Sequence, residues 1–229
     1  MKVKWIGQAG LVFEHGGSRI IVDPYLSDEC ERLNPLSKRR VPVDEALFSA
    51  DYDVVMLTHS HADHTDIPTL EKILGKEKNT LVLSSASAFE KVRTTGKNNN
   101  YVRFVPGCEW TFGDILFKSV YACHSDPDAV GFIIECEGKK YYITGDTLYN
   151  ENIFTSLPQN IYAVFLPING KGNNMNATDA ARFAKKCGAK YAVPLHFGMF
   201  DDLCGEIFKA ENRVIPKLYE YIDLEDGEK

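Results

Sequence analysis

The chain has 229 residues, of which 44% are hydrophobic and 25% are charged, and this composition excludes a disordered or fibrous protein. The 26 Lys and Arg residues against 32 Asp and Glu residues give a formal net charge of −6, which argues against a general nucleic-acid-binding protein with a basic face. The length predicts a single domain over residues 1–229 with one substantial hydrophobic core.

The opening of the chain and its cysteines indicate a cytoplasmic protein without a membrane partner. Residues 1–5 lead into a predicted strand and lack the apolar run of a signal peptide. The sequence contains no run of about 18 apolar residues, the length that a membrane span requires. The six cysteines are scattered without a Cys-x-x-Cys pair, which is typical of reduced thiols.

The first fifty residues favour three short strands, a long polar loop and a short helix. The strands are expected over residues 3–6, 11–14 and 19–22, because apolar runs there are separated by glycine-rich turns. His15 opens the turn between the second and third strands, so we expect its side chain to be exposed to solvent.

The remaining residues alternate between β/α units and strand-rich stretches. Two such halves predict an α/β protein in which two mixed β-sheets pack as a sandwich, with helices on the outer faces. Strands are expected over residues 54–57, 81–84, 101–105, 110–112, 115–121, 131–136, 140–144, 163–166 and 191–195, and helices over residues 67–74, 87–94, 177–187 and near 205–219.

The strongest chemical signal is a histidine-rich motif directly after the predicted strand at 54–57. From residue 58 the sequence reads THSHADH, which places three of the six histidines within six positions. Side chains in an irregular turn can converge on one point, and imidazole and carboxylate are ligands for zinc, manganese or iron. The motif predicts that His59 and His61 bind one metal ion together. Asp63 and His64 would then face a neighbouring ion.

This motif resembles the signature of the metallo-β-lactamase-fold hydrolases. That family carries three more ligands downstream at strand ends, and His124, Asp146 and His196 stand in the corresponding order. The resemblance implies the four-layer αββα sandwich of this fold and a binuclear metal centre. In that centre, one ion would be held by His59, His61 and His124, the second by Asp63, His64 and His196, and Asp146 would bridge the two.

The resemblance also implies a hydrolytic mechanism. Two divalent ions, zinc or manganese with iron as a further option, would lower the pKa of a shared water, so that a metal-bridged hydroxide attacks the substrate. Asp63 is the candidate catalytic residue, because it can orient or deprotonate that water. Ligating histidines need an acceptor on their other ring nitrogen, and Asp23, at a strand end, is the candidate for this supporting role.

Four side chains are candidates for contact with an anionic small-molecule substrate. Asn169, Lys171 and Asn173 lie in a loop rich in Gly and Asn that can present amide donors and one cation. The alternative is a flexible loop without substrate contact. Tyr149 follows the expected bridging carboxylate and is a candidate pocket wall. The basic run at residues 38–40 either reaches over the cleft or is solvated.

Within this superfamily the chain is similar to bacterial L-ascorbate-6-phosphate lactonases and their relatives. The shared motifs are WIGQAG from Trp5, DPYL from Asp23, HTD from His64 and PLHFGMF from Pro194. This resemblance implies a lactonase-like hydrolase acting on a lactone or related ester of a small sugar acid, with or without a phosphate group. The chain departs from those lactonases in being shorter, notably before the first strand and over residues 25–45.

Two other functions stay open at this point. A phosphodiesterase acting on a small molecule or cyclic nucleotide would use the same metal ligands with a different pocket. A non-catalytic metal-binding module is the third alternative, although the complete ligand set argues against it. Redox chemistry is not expected, because the diiron members of this fold carry Glu where this chain has His61. The sequence does not decide the oligomeric state and is compatible with a homo-oligomer.

Overall fold

Six strands from the N-terminal half of the chain form one mixed sheet in sequence order. They are β1 (Lys2–Trp5), β2 (Leu11–His15), β3 (Ser18–Val22), β4 (Val54–Leu57), β5 (Leu81–Ser85) and β6 (Asn100–Phe104). The strands β1 to β3 pair antiparallel, whereas β3 to β6 pair parallel. The computed structural model of the chain describes residues 1–96 and 98–224.

Six strands from the C-terminal half form the second sheet, again in sequence order. They are β7 (Glu109–Phe112), β8 (Ile115–Tyr121), β9 (Val130–Cys136), β10 (Lys139–Ile143), β11 (Ala163–Pro167) and β12 (Tyr191–Leu195). The strands β7 to β10 pair antiparallel, and β10 to β12 pair parallel. The prediction of two mixed sheets is confirmed.

Short helices lie on the outer faces of the two sheets. They are α1 (Glu29–Leu33), α2 (Ala46–Ser49), α3 (Ile67–Leu74), α4 (Ala86–Val92) and α5 (Ala177–Cys187), with 3-10 turns at Pro35–Ser37, Glu151–Thr155 and Gly205–Ile207. Helix α5 begins at a side-chain cap, because Asn176 accepts hydrogen bonds from the first free backbone amides, and it ends at Gly188 in the left-handed conformation. No helix in the described ranges is long and apolar enough to cross a membrane.

Apolar side chains fill three layers. Between the sheets, Phe13 meets Phe165 edge to face with ring centroids 5.8 Å apart. Outside the first sheet, Leu70 of α3 packs on its strands, and outside the second sheet, Phe183 of α5 does the same. This arrangement is the four-layer αββα sandwich expected from the sequence, and it leaves the loops at the strand ends free to carry a site.

The expected helix near residues 205–219 is wrong, because only the 3-10 turn Gly205–Ile207 forms there. The backbone after this turn hydrogen-bonds to the edge strands of the sandwich instead of to itself. Val214 donates to Ala192 of β12, and Ile222 donates to Val3 of β1. The tail therefore covers two strand edges that would otherwise present unpaired amides and carbonyls.

The expectation that His15 is exposed is also wrong. Its side chain is only 14% exposed. Side chains two apart on a strand point the same way, so His15 turns inward with Phe13 rather than toward solvent. Asp114, in the turn between β7 and β8, covers the ring and lies 2.8 Å from its Nε2 atom.

Candidate metal centre

All seven residues that the sequence predicts as metal ligands lie together at one end of the sandwich. They enter from four places: the loop after β4 supplies His59, His61, Asp63 and His64, and the segments after β8, β10 and β12 supply His124, Asp146 and His196. Parallel strands bring their carboxyl ends to one edge of a sheet, which explains why residues far apart in sequence meet here.

Three histidines, here called the outer group, form one set of converging side chains. His59, His61 and His124 offer ring nitrogens that lie within 4.8 Å of one another. Nδ1 of His61 is 3.2 Å from Nε2 of His124. His59 is buried, His61 is exposed and His124 is partly buried, so this group faces the solvent side of the centre.

The inner group consists of Asp63, His64 and His196. Oδ2 of Asp63 lies 3.1 Å from Nε2 of His196 and 3.6 Å from Nε2 of His64. Both histidines are buried. Asp146 stands between the two groups, since its carboxylate lies 3.3 Å from His64, 3.3 Å from His196 and 4.0 Å from Nε2 of His59.

Hydrogen bonds behind the centre fix which ring nitrogens face it. Asp23, fully buried, accepts from His64 Nδ1 at 2.8 Å and from the hydroxyl of Thr58 at 2.6 Å. Because Thr58 gives its hydrogen to Asp23, it accepts from Nδ1 of His59 at 3.0 Å. The Nε2 lone pairs of both histidines therefore point into the centre. The contact between Asp23 and a ligating histidine was predicted from the sequence. The effect of Asp23 on a bound metal stays a prediction.

Three buried polar atoms in the centre have no hydrogen-bond partner: Nε2 of His59, Nε2 of His64 and Oδ1 of Asp146. When the two rings are neutral all three carry lone pairs, and burying such atoms without a partner is costly. A cation between them removes this cost. The residues therefore fit a metal site, and a set of nitrogen and carboxylate donors suits zinc, manganese or iron.

The charges of the centre differ between its two groups. Burial opposes a charge on His64 and His196, but Asp146 and Asp63 outweigh it, raising the pKa of His64 well above its usual value and that of His196 to about 9. Burial lowers the pKa of His59 and of His124 instead. The carboxylates of the inner group thus favour a cation, whereas burial favours the neutral form of His59 and His124 in the outer group.

Asp126 is a supporting residue that the sequence analysis missed. Its carboxylate accepts from the backbone amide of Ser60 at 2.9 Å, from the Ser60 hydroxyl at 2.7 Å and from the Ser87 hydroxyl at 2.7 Å. Ser60 lies between two ligands of the outer group, and Asp126 follows the third by two positions. The contact, which we call the Asp126 clamp, fastens the two loops of the outer group together.

Gln8 and Asn174 also contact the centre and were not predicted as site residues. Nε2 of Gln8 donates to Oδ2 of Asp63 at 2.8 Å, and Nδ2 of Asn174 donates to Oδ2 of Asp146 at 2.8 Å. Gln8 falls within the WIGQAG motif, which is shared with the L-ascorbate-6-phosphate lactonases, but the sequence assigned no role to Gln8 itself. Asn174 is the neighbour of the predicted Asn173, so the loop was identified but the residue within it was not.

Unusual backbone conformations surround the centre. Gln8, Asp23 and His196 have φ angles of 48°, 42° and 60°, a region that residues other than glycine rarely occupy. Gly145 has a φ of 61°, and a Cβ atom there would lie 2.9 Å from Cβ of Thr58. Only glycine therefore lets the strand end before Asp146 approach the β4 end this closely.

A cavity of about 480 Å³ opens onto the centre, and Asn169 and Lys171 line it as predicted substrate contacts should. Asn173 is not among the lining residues, and its backbone carbonyl lies 3.2 Å from Nδ1 of His124 instead. Tyr149 does not line this cavity either. Its ring packs on Phe154 in the layer outside the second sheet, because the chain turns away from the centre after Asp146.

The cavity lining contains none of the three basic residues at 38–40. The Arg39 guanidinium is only 6% exposed and donates to the backbone carbonyls of Tyr25 and Ser27, which holds the loop before α2 in place. Lys38 is 73% exposed, and Arg40, in an ion pair with Asp202, is 47% exposed, so these two side chains are solvated.

The protein-family model of the beta-lactamase superfamily domain matches residues 18–197 of the sequence, which is most of the chain. A UPF0173 metal-dependent hydrolase from Flavobacterium johnsoniae is 31% identical over 87% of this chain and 86% of its own length. In fold, the chain is similar to the metallo-beta-lactamase fold protein YhfI from Bacillus subtilis, with a TM-score of 0.70, 21% identity, and coverage of 96% of this chain and 98% of that one. Isothiocyanate hydrolase from Delia radicum gut bacteria gives a TM-score of 0.72 at 22% identity, with the same coverage of 96% and 98%. The chain therefore belongs to the beta-lactamase superfamily and, within it, to the UPF0173 metal-dependent hydrolases.

Proposed function

We propose that this protein hydrolyses a lactone or related ester of a small anionic sugar acid, with or without a phosphate group, using two divalent metal ions. The observation that carries the proposal is the meeting of two ligand groups around Asp146, with unpartnered lone pairs directed between them. The outer group would hold one ion, the inner group the second, and Asp146 would contact both. When bound, such a pair of ions activates water and polarises the oxygen of the scissile group.

The side chains around Asp63 suit a role in positioning the attacking water. Asp63 lines the cavity, and His64 and His196 outweigh its burial and keep the pKa of its carboxyl well below the usual range. A carboxylate that stays ionised can accept a hydrogen bond from water and so orient it. The amide of Gln8 holds one carboxylate oxygen of Asp63, which fixes the orientation of the group.

The cavity wall favours a substrate with hydroxyl groups. Oδ1 of Asn174 is buried without a hydrogen-bond partner, while its amide nitrogen is committed to Asp146. An unpaired acceptor beside the reaction centre suits a substrate donor such as a sugar hydroxyl. Lys171, at the mouth of the cavity, is well exposed and can meet an anionic group, with Asp201 3.6 Å from its amine.

The test is a comparison of substrate classes on protein loaded with zinc or manganese. Hydrolysis of sugar-acid lactones, followed by acid release, should exceed hydrolysis of bis(4-nitrophenyl) phosphate. His61→Ala should lose this activity while retaining its circular dichroism spectrum. Activity on the phosphodiester alone would overturn the lactonase proposal in favour of a phosphodiesterase. Inactivity on both panels with either metal would overturn the catalytic role itself.

A further inference from the structure

A second cluster of metal-ligating side chains lies at the end of the sandwich opposite the metal centre. His15 ends β2, Cys136 ends β9, and Glu137 follows in the turn before β10. A ring nitrogen, the thiol sulfur and a carboxylate oxygen of these residues lie within 4.8 Å of one another. None of the three takes part in the chemistry proposed above, so the cluster calls for its own explanation.

The burial of this cluster is unusual for a set of polar side chains. Cys136 is 3% exposed and points between the sheets with the apolar residues of β9, and His15 points inward from the facing strand. The pair thus spans the gap between the two sheets. Glu137 is more exposed and closes the cluster on its solvent side.

The hydrogen bond to His15 shows which of its ring nitrogens is available. Nε2 lies 2.8 Å from the carboxylate of Asp114, and a carboxylate can only accept, so Nε2 carries the hydrogen. In a neutral ring, Nδ1 then has a lone pair, and it lies 3.8 Å from Oε2 of Glu137. This separation is too long for a hydrogen bond, whereas two nitrogen or oxygen ligands of one tetrahedral zinc ion stand roughly 3.4 Å apart.

We propose that His15, Cys136 and Glu137 bind a divalent ion of borderline softness, such as zinc, at a structural site separate from the catalytic centre. Imidazole, thiolate and carboxylate together select such an ion over magnesium or calcium. Asp114 would orient the imidazole through its far nitrogen, as carboxylates do behind ligating histidines. The ion would join the two sheets at the end opposite the catalytic centre.

Binding of the metal ion would displace a proton and the amino group of Met1 from the cluster. Burial and the neighbouring carboxylates of Asp114 and Glu137 raise the pKa of the Cys136 thiol, so its proton leaves to solvent when the sulfur binds the ion. The amino group of Met1 lies 3.4 Å from Oε2 of Glu137 and would give up this partner. The competing explanation is a cluster of polar contacts among His15, Asp114, Glu137 and the amino group of Met1, with no metal at all.

Cobalt(II) titration of metal-depleted protein separates these explanations. Thiolate ligation gives a sulfur-to-cobalt charge-transfer band in the near ultraviolet, and the catalytic centre, with only nitrogen and oxygen donors, cannot produce it. The wild-type chain should develop this band to an intensity that corresponds to one thiolate-bound cobalt ion per chain, after the catalytic centre has taken up its own share of the added cobalt. It should also persist in His61→Ala, so failure of the catalytic proposal leaves this test intact.

Variants assign the band to its sulfur. Cys136→Ser should abolish it, and His15→Gln should weaken cobalt binding at the same site. Cys30→Ser, beside the catalytic cavity, and Cys204→Ser, at the surface, are the matched controls that should keep it. A wild-type chain without the band, or a band that survives Cys136→Ser in folded protein, would overturn the proposal.

Discussion

The outer and inner groups of the metal centre hold similar side chains in different surroundings. The outer group consists of three imidazoles, one of them exposed, and its loops are joined by the Asp126 clamp. The inner group combines a carboxylate with two buried histidines, and Asp23 contacts one of these directly. Its histidines have raised pKa values, whereas the pKa values of His59 and His124 are lowered.

This difference indicates that two physical means position the ligands. The inner group depends on charge, because carboxylates in front of and behind the imidazoles favour a cation. The outer group depends on loop geometry, because its neutral rings attract a cation weakly unless they are already in place. A substitution that removes charge should therefore act mainly on the inner ion, and one that loosens the loops should act mainly on the outer ion.

The largest effect should come from Asp146, the carboxylate that both groups share. Asp146→Asn keeps the shape of the side chain but removes its charge, so we expect weaker binding of both ions and turnover reduced to the buffer background. Elemental analysis and initial rates measure the two quantities, with thermal unfolding as the check on folding. Two ions per chain and a normal rate in this variant would remove the bridging role.

A smaller effect, mainly on the inner group, is expected from Asp23→Asn, because Asp23 contacts His64 directly and His59 only through Thr58. Asparagine tolerates the left-handed backbone at this position, so the change alters charge and hydrogen bonding without new strain. Removal of such a supporting carboxylate typically lowers metal affinity or activity about 10- to 100-fold. Competition titration with a zinc indicator should show one site weakened more than the other. Equal weakening of both sites would contradict the distinction between the groups.

The Asp126 clamp provides the complementary experiment on the outer group. Asp126→Asn replaces an acceptor that serves four donors, and we expect about tenfold weaker binding of the outer ion, at the low end for supporting residues. Asp128→Asn, in the same loop but exposed, is the matched control and should leave both affinities unchanged. If the inner ion is the one lost from Asp126→Asn, the assignment of the clamp is wrong.

The smallest effect is a change in bound protons. With a pKa of about 9, His196 is protonated at pH 7.5 in metal-free protein, and Asp146 and Asp63 raise the pKa of His64 as well. Zinc binding should therefore release at least one proton from the inner group. The measurement uses a pH indicator in weak buffer, with Cys136→Ser protein so that its thiol makes no contribution. Release that stays near zero would show that the inner histidines are neutral.

The same pKa values set the sign of the pH effect on metal-free stability. A raised histidine pKa stabilises the folded state fully below about pH 6.5, and this contribution is lost as the pH rises through about 9. The metal-free chain should thus lose stability between these values. The zinc-loaded chain should not, because its inner histidines carry no proton. Thermal unfolding at several pH values measures the difference.

The order of the strands could be predicted from local patterns, whereas the gathering of the ligands was predicted from the resemblance to the metallo-β-lactamase-fold hydrolases. The apolar run at β4 and the motif after it indicate a buried strand that ends at a site, and His124 and His196 also follow strands. The register of the sheets then brings these ends together. Length and composition did not contribute to the identification of the site.

The missed residues act through contacts that leave no pattern in the sequence. Asp126 meets Ser60 only because two distant loops pack together, and Asn174 was indistinguishable from Asn173 without the path of the loop. The false helix near 205–219 has a related cause. Its residues can satisfy their backbone groups on the strand edges, and no local propensity reports that these edges are available.

The left-handed backbone at Gln8, Asp23 and His196 has a consequence for how this protein can be stabilised. Each such residue costs on the order of 1–3 kcal/mol, so part of the free energy held in distorted peptides lies beside the ligands. Substitutions that relax these three residues would raise stability but displace the side chains that hold the metal centre. Asn160 has a φ of 60° far from the cavity, and Asn160→Gly would relieve the same kind of distortion without disturbing the metal centre. Substitutions intended to raise the stability of this protein should therefore be made away from the metal centre.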